Sequence, residues 1–138
     1  MKVNVMLENG AFMPEKAHEA DAGFDIRTPR DVLINGVASV TIDTGVHIEI
    51  PKGYVGFLKS KSGLNVKHNL TGEGVVDAGY TGSIVVKLYN NGYELHRFNK
   101  GDKIIQLVIL PIPDVEFTLV DSLAETERGN NGFGSTGR

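Results

Sequence analysis

The sequence predicts an all-β domain of the sandwich or barrel type, and three observations carry that prediction. Apolar and polar residues alternate with period two at Val40 and Ile42, at Val46, Ile48 and Ile50, and at Ile84, Val86 and Leu88. That is the pattern of strands with one buried face. Turn residues recur at short intervals, as Asn35-Gly36, Thr44-Gly45, Pro51-Lys52-Gly53, Ala78-Gly79, Asn91-Gly92 and Lys100-Gly101. Helical signal is scarce: Ser122 and Glu125 match a capping box, but Gly129 follows so soon that one turn is the most expected there.

Taken in chain order, Ala22-Gly23 reads as a turn that leads into a strand and sets Asp25 between Phe24 and Ile26. On its own an aspartate there is a turn or cap residue, or an acid placed for chemistry. The strands at 40–42 and 46–50 are expected on either side of a Thr44-Gly45 turn. Lys59-Ser60-Lys61-Ser62-Gly63-Leu64 reads as a polar loop in which a hydroxyl and a flexible backbone sit beside two ammonium groups. Such a loop is either solvated or a cradle for phosphate. In Gly74-Val75-Val76-Asp77-Ala78-Gly79-Tyr80-Thr81-Gly82, two valines lead a carboxylate and an aromatic into a tight turn. Turn chemistry explains Asp77 and Gly79 but not Tyr80. Thr71, Lys87 and the segment from Tyr93 to Phe98 take no function from the sequence.

With 138 residues and 41% hydrophobic content, the chain is one domain able to bury a real core. A net charge of −3 without a basic stripe excludes a polyanion footprint, whereas Lys59, Lys61 and Arg128 suffice for one triphosphate. The absence of cysteine excludes a disulfide framework and thiolate metal sites. The first residues hold no apolar signal region and no stretch reaches membrane-spanning length, so a soluble cytoplasmic protein without nucleic-acid or membrane binding is expected. His18, His47, His68 and His96 stand far apart with no i, i+4 pair, the pattern of surface or satisfied structural histidines. Neither a nucleophile elbow nor a Walker A loop is present, so any bound triphosphate is held by other means.

Residues 1–127 are expected to form the β domain and residues 128–138 a flexible lid. The segment Arg128-Gly129-Asn130-Asn131-Gly132-Phe133-Gly134-Ser135-Thr136-Gly137-Arg138 offers little apolar surface against an ordering cost of about 1–2 kcal/mol per residue. It should gain order from what it closes over. An arginine, glycine-freed amides, two hydroxyls and one ring suit an anionic, planar ligand. Gly132 to Gly137 also reads as a dinucleotide fingerprint, but no helix follows to hold a pyrophosphate.

Five segments in order, Ala22 to Asp25, Lys61 to Leu64, Gly74 to Gly82, Gly101 to Leu107 and Arg128 to Gly137, resemble the five motifs of the trimeric dUTP pyrophosphatases (deoxyuridine triphosphate nucleotidohydrolases). The resemblance implies a jelly-roll-like subunit in a homotrimer whose sites draw on all three chains. It implies hydrolysis of dUTP to dUMP and pyrophosphate, which limits uracil entry into DNA and supplies dUMP for thymidylate synthesis. Asp77 would be the general base that aims water at the α-phosphorus, and Tyr80 would pack where a ribose 2′-hydroxyl collides. Backbone groups from Gly74 to Val76 would read uracil. Lys61, Ser62, Gly63 and Gln106 would hold the phosphates, with Ser62 counted with Asp77 in the catalytic set. Asp25 would bind Mg²⁺ through water. From the tail, Phe133 would stack on uracil, and Arg128, Gly134, Ser135 and Thr136 would close over the γ-phosphate.

The implied chemistry is physically sufficient, since phosphoryl transfer needs positioning and charge neutralisation more than a covalent nucleophile. Lys61 departs from the arginine usual in the family, replacing a planar fork by a point charge. Two other readings use the same residues: a dCTP deaminase-type sibling activity, usually on a longer chain without this tail, and a dUTP-responsive module that engages a regulatory protein partner.

Overall fold

The computed structural model describes residues 1–137; Arg138, at the end of the expected lid, lies outside them. Ten strands and one short helix form in the order β1 (Val5–Leu7), β2 (Phe24–Arg27), β3 (Val32–Ile34), β4 (Ala38–Ile48), β5 (Tyr54–Lys59), α1 (Ser62–His68), β6 (Leu70–Thr71), β7 (Glu73–Val76), β8 (Ser83–Asn90), β9 (His96–Phe98) and β10 (Lys103–Pro111). One four-stranded sheet runs β1-β4-β8-β6, a second runs β2-β10-β5-β7, and β3 pairs with β9. All pairings are antiparallel. The all-β class read from the periodicity is what forms.

Alternation sets the faces. In β8, Ile84, Val86 and Leu88 are buried while Val85, Lys87 and Tyr89 are exposed. The inward residues of both large sheets join Val32, Ile34 and Phe98 in a single cluster, so the two sheets share one core. Strand β10 lies between β2 and β5, and its Ile104, Ile105 and Leu107 are almost fully buried.

The Thr44-Gly45 turn does not form; β4 runs through it as one bent strand. Pairing with β8 shifts between Asp43 and His47, and the Thr44 hydroxyl donates to the Ile84 carbonyl at 2.7 Å. The irregularity is absorbed as a bulge, because both flanks of β4 stay paired. Helix α1 forms where the Lys/Ser run reads as a polar loop. Its seven residues bury no side chain completely, so no apolar stripe betrays it, and Asn69 ends it in the left-handed conformation. The single turn expected after Ser122 is absent, since a lone capping signal without a packing face cannot offset nucleation.

Tyr93 to Phe98 leads into and forms β9. Phe98 lies in the core, Tyr93 is exposed, and the Asn90 side chain holds the loop between β8 and β9 by donating to the Glu94 carbonyl at 2.7 Å. The fold also brings His68 and His96, distant in sequence, to a ring separation of 4.9 Å. After Ile112, whose N–H donates to the Gly53 carbonyl at 2.9 Å, residues 113–127 run exposed without a strand. Val115, Phe117, Leu119 and Leu123 all face outward there.

Leu107 sits at the centre of this core, so Leu107→Ala should lower stability by about 2–5 kcal/mol. Urea unfolding followed by circular dichroism measures the loss.

Candidate active site

Register builds the first half of the site. Gln106 of β10 stands opposite Asp25 of β2 on one side and Lys59 of β5 on the other. Just past β5, Lys61 turns its ammonium onto one oxygen of Asp25, while Lys103 reaches the other at 2.6 Å. The Asp25 side chain is only 7% exposed. Burial raises its pKa, but the hydrogen bonds and charges of Lys103 and Lys61 outweigh that and hold it below its ordinary value. Two ammonium groups on one carboxylate leave a net charge of +1.

Gln106 donates to the Ser60 carbonyl at 3.1 Å, and Gly23 lies so close to the Gln106 amide that a Cβ would overlap it. This explains the glycine before Phe24. Lys61 is also the N-cap of α1, so Ser62 and Gly63 open the helix. No side chain caps those amides and the first turn has no acid, leaving the donors free for an anion.

Asp25 is therefore a buried strand residue and neither a turn nor a cap aspartate. The two lysines of the polar loop part company: Lys59 pairs with Glu73 at 2.8 Å on the surface, and Lys61 alone joins the cluster. Its true partner is Lys103, which sequence reading left without a role although it lies inside a quoted motif. Among the described residues no three His, Cys, Asp or Glu side chains come together. With each Asp25 oxygen already taking an ammonium, the carboxylate retains lone pairs for a water but cannot cage an ion. The set fits a Mg²⁺ that arrives on phosphate oxygens and keeps its waters.

The second half lies on β7 and the turn after it. β7 is an edge strand, paired only with β5, so its outer backbone groups meet no other strand. Asp77 is exposed, and the Tyr80 N–H closes a turn onto its carbonyl at 3.2 Å. The Tyr80 hydroxyl donates to the Ser83 carbonyl at 2.9 Å, and its ring lies on Gly82, where a Cβ would come within 2.6 Å of the ring carbon Cζ. A bulkier residue at 82 would displace the ring.

The two halves do not meet within one chain. Lys59 pairs with Glu73 and Gly56 with Val76, so three residues of β5, about 10 Å at a strand rise of ~3.3 Å, part the Lys61 end from the Asp77 end. The tail joins neither. Arg128, Phe133, Gly134, Ser135 and Thr136 are exposed, and the hydrogen bonds of residues 128–137 stay within residues 126–137, as from Asn131 to Arg128 and from Ser135 to Gly132.

An all-β sandwich that sets a cationic cluster at one end of β5 and a carboxylate turn on an open sheet edge has parts suited to an anionic ligand and to aiming a water, without a P-loop. Known proteins narrow that chemistry. The family model described as dUTPase matches residues 9–137. A deoxyuridine 5′-triphosphate nucleotidohydrolase of Tropheryma whipplei (strain Twist) is 38% identical, over 100% of this chain and 97% of its own. One from Clostridium kluyveri is 42% identical over 92% of this chain and 91% of its own. Among solved structures, the Staphylococcus bacteriophage 80alpha dUTPase with dUPNHPP superposes with a TM-score of 0.93 at 34% identity, covering 99% of both chains. A mutant dUTPase from phage phi11 of S. aureus, described for its coordination of a structural Mg(II) ion, gives 0.83 at 33% identity over 88% of this chain and 98% of its own. The chain belongs to the dUTPase family, and its reaction is the hydrolysis of dUTP to dUMP.

Lys103→Met keeps the aliphatic stem and removes one of the two ammonium groups on Asp25. It should cost about 1–2 kcal/mol at neutral pH. Because the folded pKa of Asp25 is depressed, its contribution is present above the unfolded value and lost as pH falls through the folded one. Urea midpoints of variant and wild type should therefore converge in acid.

Proposed function

We propose that this dUTPase assembles each site from three chains, with the Asp25-Lys61-Lys103 cluster of one, the Asp77 turn of a second and the tail of a third. The separation of cradle and carboxylate along β5 is the observation that carries this reading. With the phosphates on the Lys61 cradle, Asp77 of the same chain stands toward the other end of β5, and a three-fold arrangement can bring a neighbour's turn over them.

In this arrangement Lys61, the Ser62 hydroxyl, the Gly63 amide and Gln106 hold the phosphates, and Lys103 keeps Asp25 ionised beside them. The free edge of β7, at Gly74 and Val76, offers backbone donors and acceptors to the uracil edge. A wrong base there leaves buried polar groups unpaired. Tyr80, fixed by Ser83 and Gly82, blocks the 2′ position. Phe133 stacks on the base, and Arg128, Gly134, Ser135 and Thr136 cover the terminal phosphate.

Asp77 accepts a proton from a water that attacks the α-phosphorus in line; the α–β bridging bond breaks and pyrophosphate leaves. Asp25 would hold Mg²⁺ through water, and the ion would supply neutralisation of the charge that develops on the phosphates. The presence of carboxylate, cradle and tail together favours this over the deaminase and the purely regulatory readings. No helix among the described residues is long and apolar enough to cross a membrane, and the cytoplasm is the proposed compartment.

Asp77→Asn should keep nucleotide binding while kcat falls at least ~10²-fold. Near-normal turnover in a pyrophosphate-release assay would remove Asp77 from the chemistry. Replacing Tyr80 by a smaller residue should raise the UTP to dUTP ratio of kcat/KM; an unchanged ratio would sink the gate.

Shared sites make a further test available. Asp77→Asn and a chain cut after Glu127 should each be nearly inactive. Refolded together in equal amounts, they should recover activity at about a quarter of sites, one half for an intact Asp77 times one half for an intact tail. No recovery in mixed trimers confirmed by mass would place Asp77 and the tail in one chain's site.

A further inference from the structure

His47 stands on β4 opposite Met6 of β1 and Ser83 of β8. Its ring bridges two acceptors, with Nδ1 2.8 Å from the Thr81 carbonyl oxygen and Nε2 2.9 Å from Glu8 Oε1. An ionised carboxylate and a carbonyl have no proton to give. Neutral imidazole carries one N–H and satisfies one of them; both bonds together require the imidazolium. Glu8 is itself anchored, its N–H donating to the Gly45 carbonyl at 2.9 Å.

Thr81 follows Tyr80 and lies on the turn that begins at Asp77. The other ties of that turn are local: the Tyr80 N–H to Asp77 and the Tyr80 hydroxyl to Ser83. Among the described residues, the His47 bond ties residue 81 of this turn to β4, two positions before the Ser83 pairing begins. The remaining charged groups around it are of both signs: Lys2 shares a groove with Glu49 and Thr81, and Arg30 shares one with Glu8 and Asp43. Asp43 of β4 accepts from the Ser83 hydroxyl and the Gly45 N–H, and Glu49, which shares the groove beside His47 and Thr81, accepts from Asn4 at 2.8 Å.

We propose that His47 is a positioning residue for dUTP hydrolysis: as an imidazolium clamped between Glu8 and the Thr81 carbonyl, it holds the turn that presents Asp77 and Tyr80. The proposal rests on the reading of Asp77 as base and Tyr80 as sugar gate. The environment agrees with it. The Thr81 carbonyl and Glu8, with Asp43, hold the His47 pKa above its usual value. With the folded pKa raised, the clamp is complete below the unfolded value and is lost as pH rises through the folded one.

The two amide replacements separate the two bonds. Asparagine at 47 sets its nitrogen near the place of Nδ1 and can donate to Thr81, whereas glutamine sets it near Nε2 and donates toward Glu8. His47→Gln and His47→Leu should lower kcat about tenfold with KM moved less than about twofold, while His47→Asn stays within about threefold of wild type. The Gln and Leu variants should also exchange the amides of residues 79–83 faster and hydrolyse UTP relatively better. On the alkaline side, wild-type kcat should fall through a step that Asn lacks.

Equal kcat for the Asn and Gln variants, or wild-type kcat and amide exchange in His47→Leu, would overturn the clamp. If His47→Leu does not fold, the Asn and Gln pair decides. Failure of the underlying reading is seen separately, as turnover retained by Asp77→Asn, and amide exchange across the His47 variants reports on the clamp in that case too.

Discussion

One strand of six residues, β5, carries both halves of the site and keeps them apart. Its antiparallel pairing with β10 brings Lys59 level with Gln106, and its pairing with β7 brings Gly56 level with Val76. No side chain between those ends is long enough to close the gap. The cationic cluster and the carboxylate turn both start from strands of one sheet, so the sheet register fixes where each begins. A chain built this way has its functional groups in place but not in contact. The sheet register supports the proposed sharing of sites between chains by setting the two halves apart.

Asp25 shows how the cradle is kept cationic without repelling itself. Two lysines near each other would resist charging, and a carboxylate buried alone would take up a proton. Placed between Lys61 and Lys103, the buried acid offsets one of their two positive charges and fixes the direction of both side chains. The surplus of one positive charge is what the proposed reading assigns to the phosphates. An arginine at position 61 would offer a planar fork, whereas lysine is a point charge that Asp25 can aim from below.

Period-two alternation found the strands that are half buried, β4 and β8, because their outward faces are polar enough to interrupt the apolar run. It could not find β1, β3 or β9, each three residues long, nor see that β4 continues through Gly45, since a bulge and a turn use the same residues. Helix α1 escaped because no heptad-like stripe marks a helix that lies on the surface. Within the site, residue types at fixed spacings made Asp77, Tyr80 and the tail conspicuous. The ties that hold them were not conspicuous. His47 and Glu8 lie 39 positions apart, and Lys103 meets Asp25 only because β2 and β10 pair. Such contacts arise from topology, and no local pattern announces them.

The arm beyond Ile112 has a consequence for the life of the single chain. Phe117, Leu119 and Leu123 are each more than four-fifths exposed, on a stretch with no strand partner. If a neighbouring subunit is what covers them, the free energy of folding includes a bimolecular term, and the midpoint of thermal unfolding rises with protein concentration. Dilution would then undo the fold from its arm inward. A newly made subunit without neighbours carries the same apolar strip in the open and is the species most prone to aggregate, so synthesis rate and assembly rate have to be matched.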